Sequence, residues 1–113
     1  MENPFMKAVT LTDNAAHNLY DLLRAIGIKV QSIPEEITEL QLSIDSANLA
    51  GSLYVGNSDL STTMWGRKII YGIRDDVIGT LAPFSIKQVY LLTDAVGDLE
   101  ATPYRIGITA IQR

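Results

Sequence analysis

The 113-residue chain contains no cysteine and only one histidine, His17. Without cysteine, disulfide bonds, thiolate metal sites and cysteine nucleophiles are excluded, so the fold depends on packing or on subunit association. A zinc site is excluded as well, because it needs several Cys or His ligands. A Ser–His–Asp arrangement would have to use His17, but no serine lies in a nucleophile-elbow pattern. We therefore expect a protein that is not an enzyme and that needs no cofactor or metal ion.

Long apolar runs and clusters of basic residues are also missing. No segment approaches the roughly 18 apolar residues of a membrane span, and the first residues lack the pattern of a signal peptide. The net charge is −4, and Lys and Arg are scattered along the chain, whereas binding to phosphates needs clustered cations. We therefore expect neither a membrane nor nucleic acid as a partner.

The sequence contains short segments in which hydrophobic and polar residues alternate. Leu40, Leu42 and Ile44 alternate with polar residues, which is the period of a strand with one buried face. Leu53 and Val55 resume this alternation after a polar loop, and the two strands are predicted to form the kernel of a sheet. Further strands are predicted over residues 7–12, 28–33, 67–72, 77–81, 84–86, 89–93 and 101–112, with an exposed linker over most of 73–83.

One amphipathic helix is predicted over residues 13–26. Its apolar stripe includes Leu19, Leu23 and Ile26, Asp13 or Thr12 is the predicted N-cap, and Gly27 is the predicted left-handed C-cap.

One helix and six to eight short strands favour a mainly β fold over alternating βαβ units. We expect a single domain over residues 1–113, an antiparallel β-sandwich or jelly-roll-like barrel with one N-terminal amphipathic helix. Residues 1–7 are a candidate flexible arm.

Four residues are candidates for binding a partner: Tyr54, Met64, Trp65 and Arg67. Trp65 is the only tryptophan and follows Met64 in an otherwise polar segment. It is either a core residue or an interface anchor, and Trp, Met and Arg are enriched in protein–protein contacts. Tyr54 lies on a predicted strand and presents an amphipathic side chain for the same use.

The remaining polar candidates are interpreted as surface or turn residues and not as a functional site. His17 is interpreted as a surface residue of the predicted helix. Asp45, Asn48, Asn57 and Asp59 flank predicted turns and carry the oxygen ligands that Ca²⁺ prefers. Their spacing matches no EF-hand loop, however, and such residues in turns mostly hydrogen-bond their own backbone.

Three ordered segments of the chain, over residues 8–23, 51–63 and 85–91, resemble small structural proteins of tailed-bacteriophage virions. The hallmark is LYVGNSDLS at residues 53–61, which is similar to a V-Y-V-G-x-S-x-V-S segment. It is followed by SIKQVYL, which is similar to S-I-K-x-I-Y-L. The chain departs from this pattern at Met64-Trp65 and at Thr102-Pro103-Tyr104. These motifs carry no catalytic residues.

The resemblance implies an all-β virion subunit, most simply a decoration (cement) protein on the outside of an icosahedral head. Such a protein would form a dimer or trimer, bridge neighbouring copies of the major capsid protein or other virion proteins, and reside in the virion after assembly in the host cytoplasm. Two alternatives stay open. One is a tail, neck or baseplate component, and the other is a carbohydrate-binding module in which Trp65 stacks on a sugar ring.

Overall fold

The computed structural model describes residues 5–111, and of Thr80 and Leu81 the backbone alone. The fold is mainly β, as predicted, with one α-helix among these residues. The elements are β1 (Phe5–Leu11), β2 (His17–Asn18), α1 (Leu19–Ala25), β3 (Glu36–Ile44), β4 (Leu53–Gly56), β5 (Arg67–Ile69), β6 (Asp75–Ser85), β7 (Tyr90–Thr93) and β8 (Tyr104–Ile111), with short 3₁₀ turns at Val30–Ser32 and Ile86–Gln88.

The strands form two four-stranded sheets. The first sheet has the order β1-β8-β3-β6 and the second the order β2-β7-β4-β5, and every neighbouring pair is antiparallel. The predicted antiparallel pairing is therefore confirmed. In both sheets most neighbouring strands are distant in sequence, so the fold depends on long-range contacts.

The predicted sheet kernel is wrong in its pairing. β3 and β4 are both strands, but β3 pairs with β6 and β8 in the first sheet, whereas β4 pairs with β5 and β7 in the second. Leu40 and Leu42 of β3 nevertheless share one hydrophobic cluster with Leu53 and Val55 of β4. Alternation identifies which face of a strand is buried, but it does not identify the neighbouring strand.

The core is built from the inward faces of both sheets. In β8 the side chains of Tyr104, Ile106, Ile108 and Ala110 are all buried, as the alternation predicts. Each fully buried Ile or Leu contributes about 1.5–3 kcal/mol of hydrophobic free energy. Gly107 lies in regular register with both neighbouring strands, so it marks no bulge. The irregularity of this sheet lies in β3 instead, between Ile37 and Glu39.

The helix is shorter than predicted. Residues 13–15 form a bend, His17 and Asn18 pair with β7, and α1 begins at Leu19. Asn18, not Asp13 or Thr12, is the N-cap and accepts from the Asp21 amide.

Tertiary contacts explain the late start of the helix. The Asn14 side chain donates to the carbonyl oxygens of Thr93 and Ala95 at 2.8 and 2.9 Å, which holds the segment against β7. Leu19 and Leu23 are fully buried, whereas Ile26 is 46% exposed. Gly27 has a φ of +93° and ends the helix as predicted.

Residues 28–33 and 75–85 also differ from their predictions. Residues 28–33 contain a 3₁₀ turn in place of a strand. Residues 75–85 form the 11-residue strand β6 where an exposed linker with one short strand was predicted. Its Gly79 and Pro83 are tolerated because β6 lies at the edge of the first sheet and pairs on one side, with β3.

The candidate N-terminal arm falls partly outside the described residues. Residues 1–4 lie beyond them. Phe5, Met6 and Lys7 belong to β1 and pair with Ala110, Thr109 and Ile108 of β8, respectively. These three residues therefore form part of the sheet and not of an arm.

Ser52 joins three loops at one end of the two sheets. Its carbonyl oxygen accepts from the Thr93 hydroxyl at 3.0 Å and from the Asp94 amide at 3.3 Å. Its hydroxyl oxygen accepts from the Tyr71 amide at 3.1 Å. Ser52 is 7% exposed, so the hydrogen bonds that unite the β3–β4, β5–β6 and β7–β8 loops are largely shielded from water.

Close packing around Gly51 gives a test of this loop junction. A Cβ atom added to Gly51 would lie 2.4 Å from the Ala95 Cα, whereas one added to Gly79 would have only the Thr38 carbonyl oxygen nearby, at 3.9 Å. We expect Gly51→Ala to lower the free energy of unfolding in urea by about 2–3 kcal/mol, because the backbone must move. Gly79→Ala is the control and should change it by less than about 1 kcal/mol. Equal effects of the two variants would contradict this packing.

Burial of Tyr104 predicts a loss of stability at alkaline pH. Burial raises the pKa of its hydroxyl from 10.0 to about 12. The folded state thus keeps a proton that the unfolded state releases, so its contribution is complete below pH 10 and is lost as the pH rises towards 12. We expect the wild type to lose about 2 kcal/mol more of unfolding free energy than Tyr104→Phe over this interval. Parallel pH profiles of the two proteins would contradict the prediction.

Candidate functional site

Trp65 lies outside the core, in the loop between β4 and β5, and is 47% exposed. Its ring meets the ring of Tyr54 edge-on, with 6.3 Å between centroids and an interplanar angle of 65°. Met64 beside it is 61% exposed, whereas Tyr54 is 4% exposed. Three of the four candidate residues thus lie close together: Trp65 rests against the buried Tyr54, and the exposed Met64 is its neighbour in the chain. We call Met64, Trp65 and the supporting Tyr54 the Trp65 surface.

Tyr54 is held firmly on the face of the second sheet that points away from the core. Its hydroxyl donates to the Asp94 carboxylate at 2.8 Å, and the Lys68 ammonium lies 5.1 Å from the centre of its ring. It packs with Leu60 and Leu92 in a small second cluster. Tyr54, which supports Trp65, is therefore held both by its hydroxyl group and by its ring.

The β4–β5 loop itself is tightly hydrogen-bonded. Ser61 and Met64 exchange two backbone hydrogen bonds, at 2.9 and 3.3 Å, and the Gly66 amide donates to the Val55 carbonyl oxygen at 2.9 Å. These bonds turn the chain so that Met64 and Trp65 project from it.

A cleft of about 210 Å³ opens beside the Trp65 surface. Trp65 and Met64 form its apolar side, and Asn57 and Asp59 supply polar side chains. The cleft therefore combines an aromatic ring with groups that can donate and accept hydrogen bonds.

Arg67, the fourth candidate residue, connects the two sheets. Its guanidinium lies 3.5 Å from the Asp76 carboxylate and 3.5 Å from the Val77 carbonyl oxygen. Arg67 thus joins edge strand β5 of one sheet to edge strand β6 of the other. An exposed ion pair of this length contributes little to stability, about 1 kcal/mol or less.

A second exposed apolar surface, which the sequence did not predict, lies at the turn between β5 and β6. Ile70, Tyr71 and Ile73 are each more than half exposed. The Ile73 amide donates to the Ile70 carbonyl oxygen at 3.0 Å, and Gly72 has a φ of +100°, as a tight turn of this kind requires. Ile and Tyr are typical of strands, which is why a strand was predicted through residue 72; Gly72 was the one signal of a turn.

Asp45 and Asn57 serve their own turns, whereas the Asn48 side chain donates to the Arg105 carbonyl oxygen at 2.9 Å and accepts from the Arg105 amide at 2.8 Å. Asp45 accepts from the Ala47 amide and Asn57 from the Asp59 amide, each at 2.9 Å. Within residues 5–111 no three His, Cys, Asp or Glu side chains lie close enough together to hold a metal ion.

His17 precedes the helix and does not lie on it, contrary to the prediction, because β2 pairs with β7 there. Its ring lies 2.7 Å from an Asp13 oxygen, and this hydrogen bond lowers the pKa of the Asp13 carboxyl. Both side chains are partly exposed, so the pair is a surface interaction.

No family model matches the chain, and no curated protein is significantly similar to it. Among the described residues, no helix has the length and apolarity needed to cross a membrane.

The support of Trp65 by Tyr54 can be tested by fluorescence, since the chain has one tryptophan. Tyr54→Phe keeps the ring but loses the bond to Asp94, so we expect a loss of about 1–2 kcal/mol in unfolding free energy with unchanged Trp65 emission. Tyr54→Ala removes the ring, and we expect a loss of about 3 kcal/mol and a red-shifted emission. Unchanged emission in Tyr54→Ala would contradict the contact.

Proposed function

We propose that this chain is a non-enzymatic structural protein of a bacteriophage virion. In this proposal it is a capsid decoration (cement) protein that oligomerises and stabilises the head by bridging capsid subunits. Residues 53–61 and 85–91 resemble such proteins, and two features of the structure support the proposal.

The first supporting feature is the strand order. The pairs β1–β8 and β3–β6 lie in one sheet, and β2–β7 and β4–β5 lie in the other. This nested pairing, with successive strands alternating between sheets over much of the chain, is what an eight-stranded jelly-roll sandwich requires. Jelly rolls are the fold of many viral capsid and lectin domains. Fold alone is a weak guide to function, because one fold supports many activities.

The second feature, and the one that carries the proposal, is the preorganised Trp65 surface. Trp65 is half exposed but is held against Tyr54, which is itself fixed to Asp94. A rigid aromatic side chain loses little conformational entropy on binding, so it makes an effective interface anchor. Met64 beside it supplies an adaptable apolar contact. We propose that this surface, together with the neighbouring Arg67, docks on the major capsid protein or on another virion protein.

The cleft beside Trp65 favours a second candidate function, carbohydrate binding. A sugar ring could stack on Trp65 while its hydroxyl groups bond to Asn57 and Asp59, which line the same cleft. A binding site of this kind combines apolar area with a few placed polar groups. The third candidate, a tail, neck or baseplate component, uses the same apolar surface for a different virion partner.

The test is co-sedimentation of the purified protein with phage heads that lack it. We expect the wild type to saturate the heads at a fixed stoichiometry, and Trp65→Ala to raise the dissociation constant by at least about tenfold, as loss of an interface anchor does. Val30→Ala is the matched control, since Val30 is 50% exposed and lies on the 3₁₀ turn after α1. It should bind as the wild type does.

Other outcomes of these binding measurements would favour one of the alternative functions or refute the docking surface. Binding to purified tails but not to heads would favour the tail, neck or baseplate alternative. Binding to a glycan array that depends on Trp65, Asn57 and Asp59, with no binding to heads, would favour the carbohydrate module. Wild-type head binding by Trp65→Ala would refute the proposed docking surface.

A further inference from the structure

Four large apolar side chains are exposed at the end of the fold where Ser52 joins the loops. Ile70, Tyr71 and Ile73 of the β5–β6 turn are 57, 65 and 52% exposed, and Val96 of the β7–β8 loop is 85% exposed. We call these four residues the loop-end patch. Leu49 connects its two parts, because it lines a cavity with Tyr71 and Ile73 and lies close to Gly97.

The loop-end patch is rigidly held. The Tyr71 amide donates to the Ser52 hydroxyl, and a backbone hydrogen bond closes the turn from Ile70 to Ile73. On the other side of Ser52, its carbonyl oxygen accepts from the hydroxyl of Thr93, the last residue of β7 before the β7–β8 loop. The exposed side chains of the β5–β6 turn are therefore presented by hydrogen-bonded backbone that needs little ordering on binding, which reduces the entropic cost of an interface.

The exposed apolar area of the loop-end patch is close to the area of the apolar centre of a dimer interface. The exposed fractions correspond to an apolar area on the order of 400 Å², as large as the largest patch on a typical monomer. A stable interface buries about 800 Å² on each partner, with an apolar centre and a polar rim. The patch and the loops around it supply both parts.

Charges of both signs surround the patch. Arg74 and Asp75 follow the turn directly, and Asp45 and Arg105 lie at the same end, where the Ile44 and Asp45 amides donate to the carbonyl oxygens of Arg74 and Arg105. All four charged side chains are exposed, and none is in an ion pair within residues 5–111. A surface that meets a copy of itself needs both signs, because a rim of one sign would repel its own copy.

A cavity of about 170 Å³ adjoins the patch, between the β5–β6 turn and the β3–β4 loop. Asp45, Leu49, Tyr71, Ile73 and Arg74 are among its lining residues. It has room for one apolar side chain of a facing molecule.

We infer that the loop-end patch is the interface between two copies of this chain related by a two-fold axis. In this dimer the apolar side chains of each copy meet those of the other, one of them enters the facing cavity, and Arg74 of each copy approaches an acidic side chain of the second copy. The inference rests on the proposed function in one respect, since bridging capsid subunits requires an oligomer. It leaves the Trp65 surface free for docking.

The test is sedimentation equilibrium of the full chain between micromolar and submillimolar concentrations. We expect the wild type to have the mass of a dimer, and Tyr71→Ser with Ile73→Ser to have the mass of a monomer or a dissociation constant raised at least about tenfold. Val30→Ser is the matched control and should stay dimeric, because Val30 is as exposed as Ile73. Urea unfolding checks that each variant is folded.

A second measurement identifies the interface directly. The chain has no cysteine, so a single Ile73→Cys introduces the only thiol. Near a two-fold axis it should form a covalent dimer with a short bifunctional maleimide, whereas Val30→Cys should not. A monomeric wild type, a trimer, or a dimer that survives the double substitution would overturn the inference. Head binding is measured separately, so a dimer that ignores heads would refute the proposed function while supporting this interface.

Discussion

The carboxylate of Asp94 links the two exposed surfaces of this protein. One of its oxygens accepts from the Ser52 amide at 2.7 Å and the other from the Tyr54 hydroxyl at 2.8 Å. Through Ser52 it fixes the turn that carries Tyr71, and through Tyr54 it fixes the platform under Trp65. Hydrogen bonds to a carboxylate are stronger than neutral ones, and here they are partly shielded from water. Both surfaces therefore depend on one small polar network beside the core.

This network lies next to β4, whose side chains contribute to a different hydrophobic cluster on each face of the second sheet. The inward face of β4 contributes Leu53 and Val55 to the main core, and its outward face contributes Tyr54 to the smaller cluster with Leu92. A strand buried on both faces reads as a continuous apolar run, which is what residues 53–55 are. The second sheet thus separates the main core from the smaller cluster that supports Trp65.

Two separate surfaces suit a protein that bridges others. In the proposed function the Trp65 surface docks on the capsid, and in the inferred dimer the loop-end patch joins two copies of the chain. A dimer with two docking surfaces detaches only when both contacts open together, so modest individual affinities add up to firm attachment. Arg67 and Asp76 connect the edge strands β5 and β6 of the two sheets.

The sequence by itself determined the mainly β class and the buried faces of the strands, such as Ile106 and Ile108 of β8, because alternation reports local burial directly. It also singled out Trp65 by composition, but not its half-exposed position against Tyr54. Strand pairing, the short helix and the loop-end patch around Tyr71 were decided by tertiary structure alone. They depend on contacts between residues far apart in sequence, such as those of Ser52 with the β7–β8 loop, and local patterns carry no information about such partners.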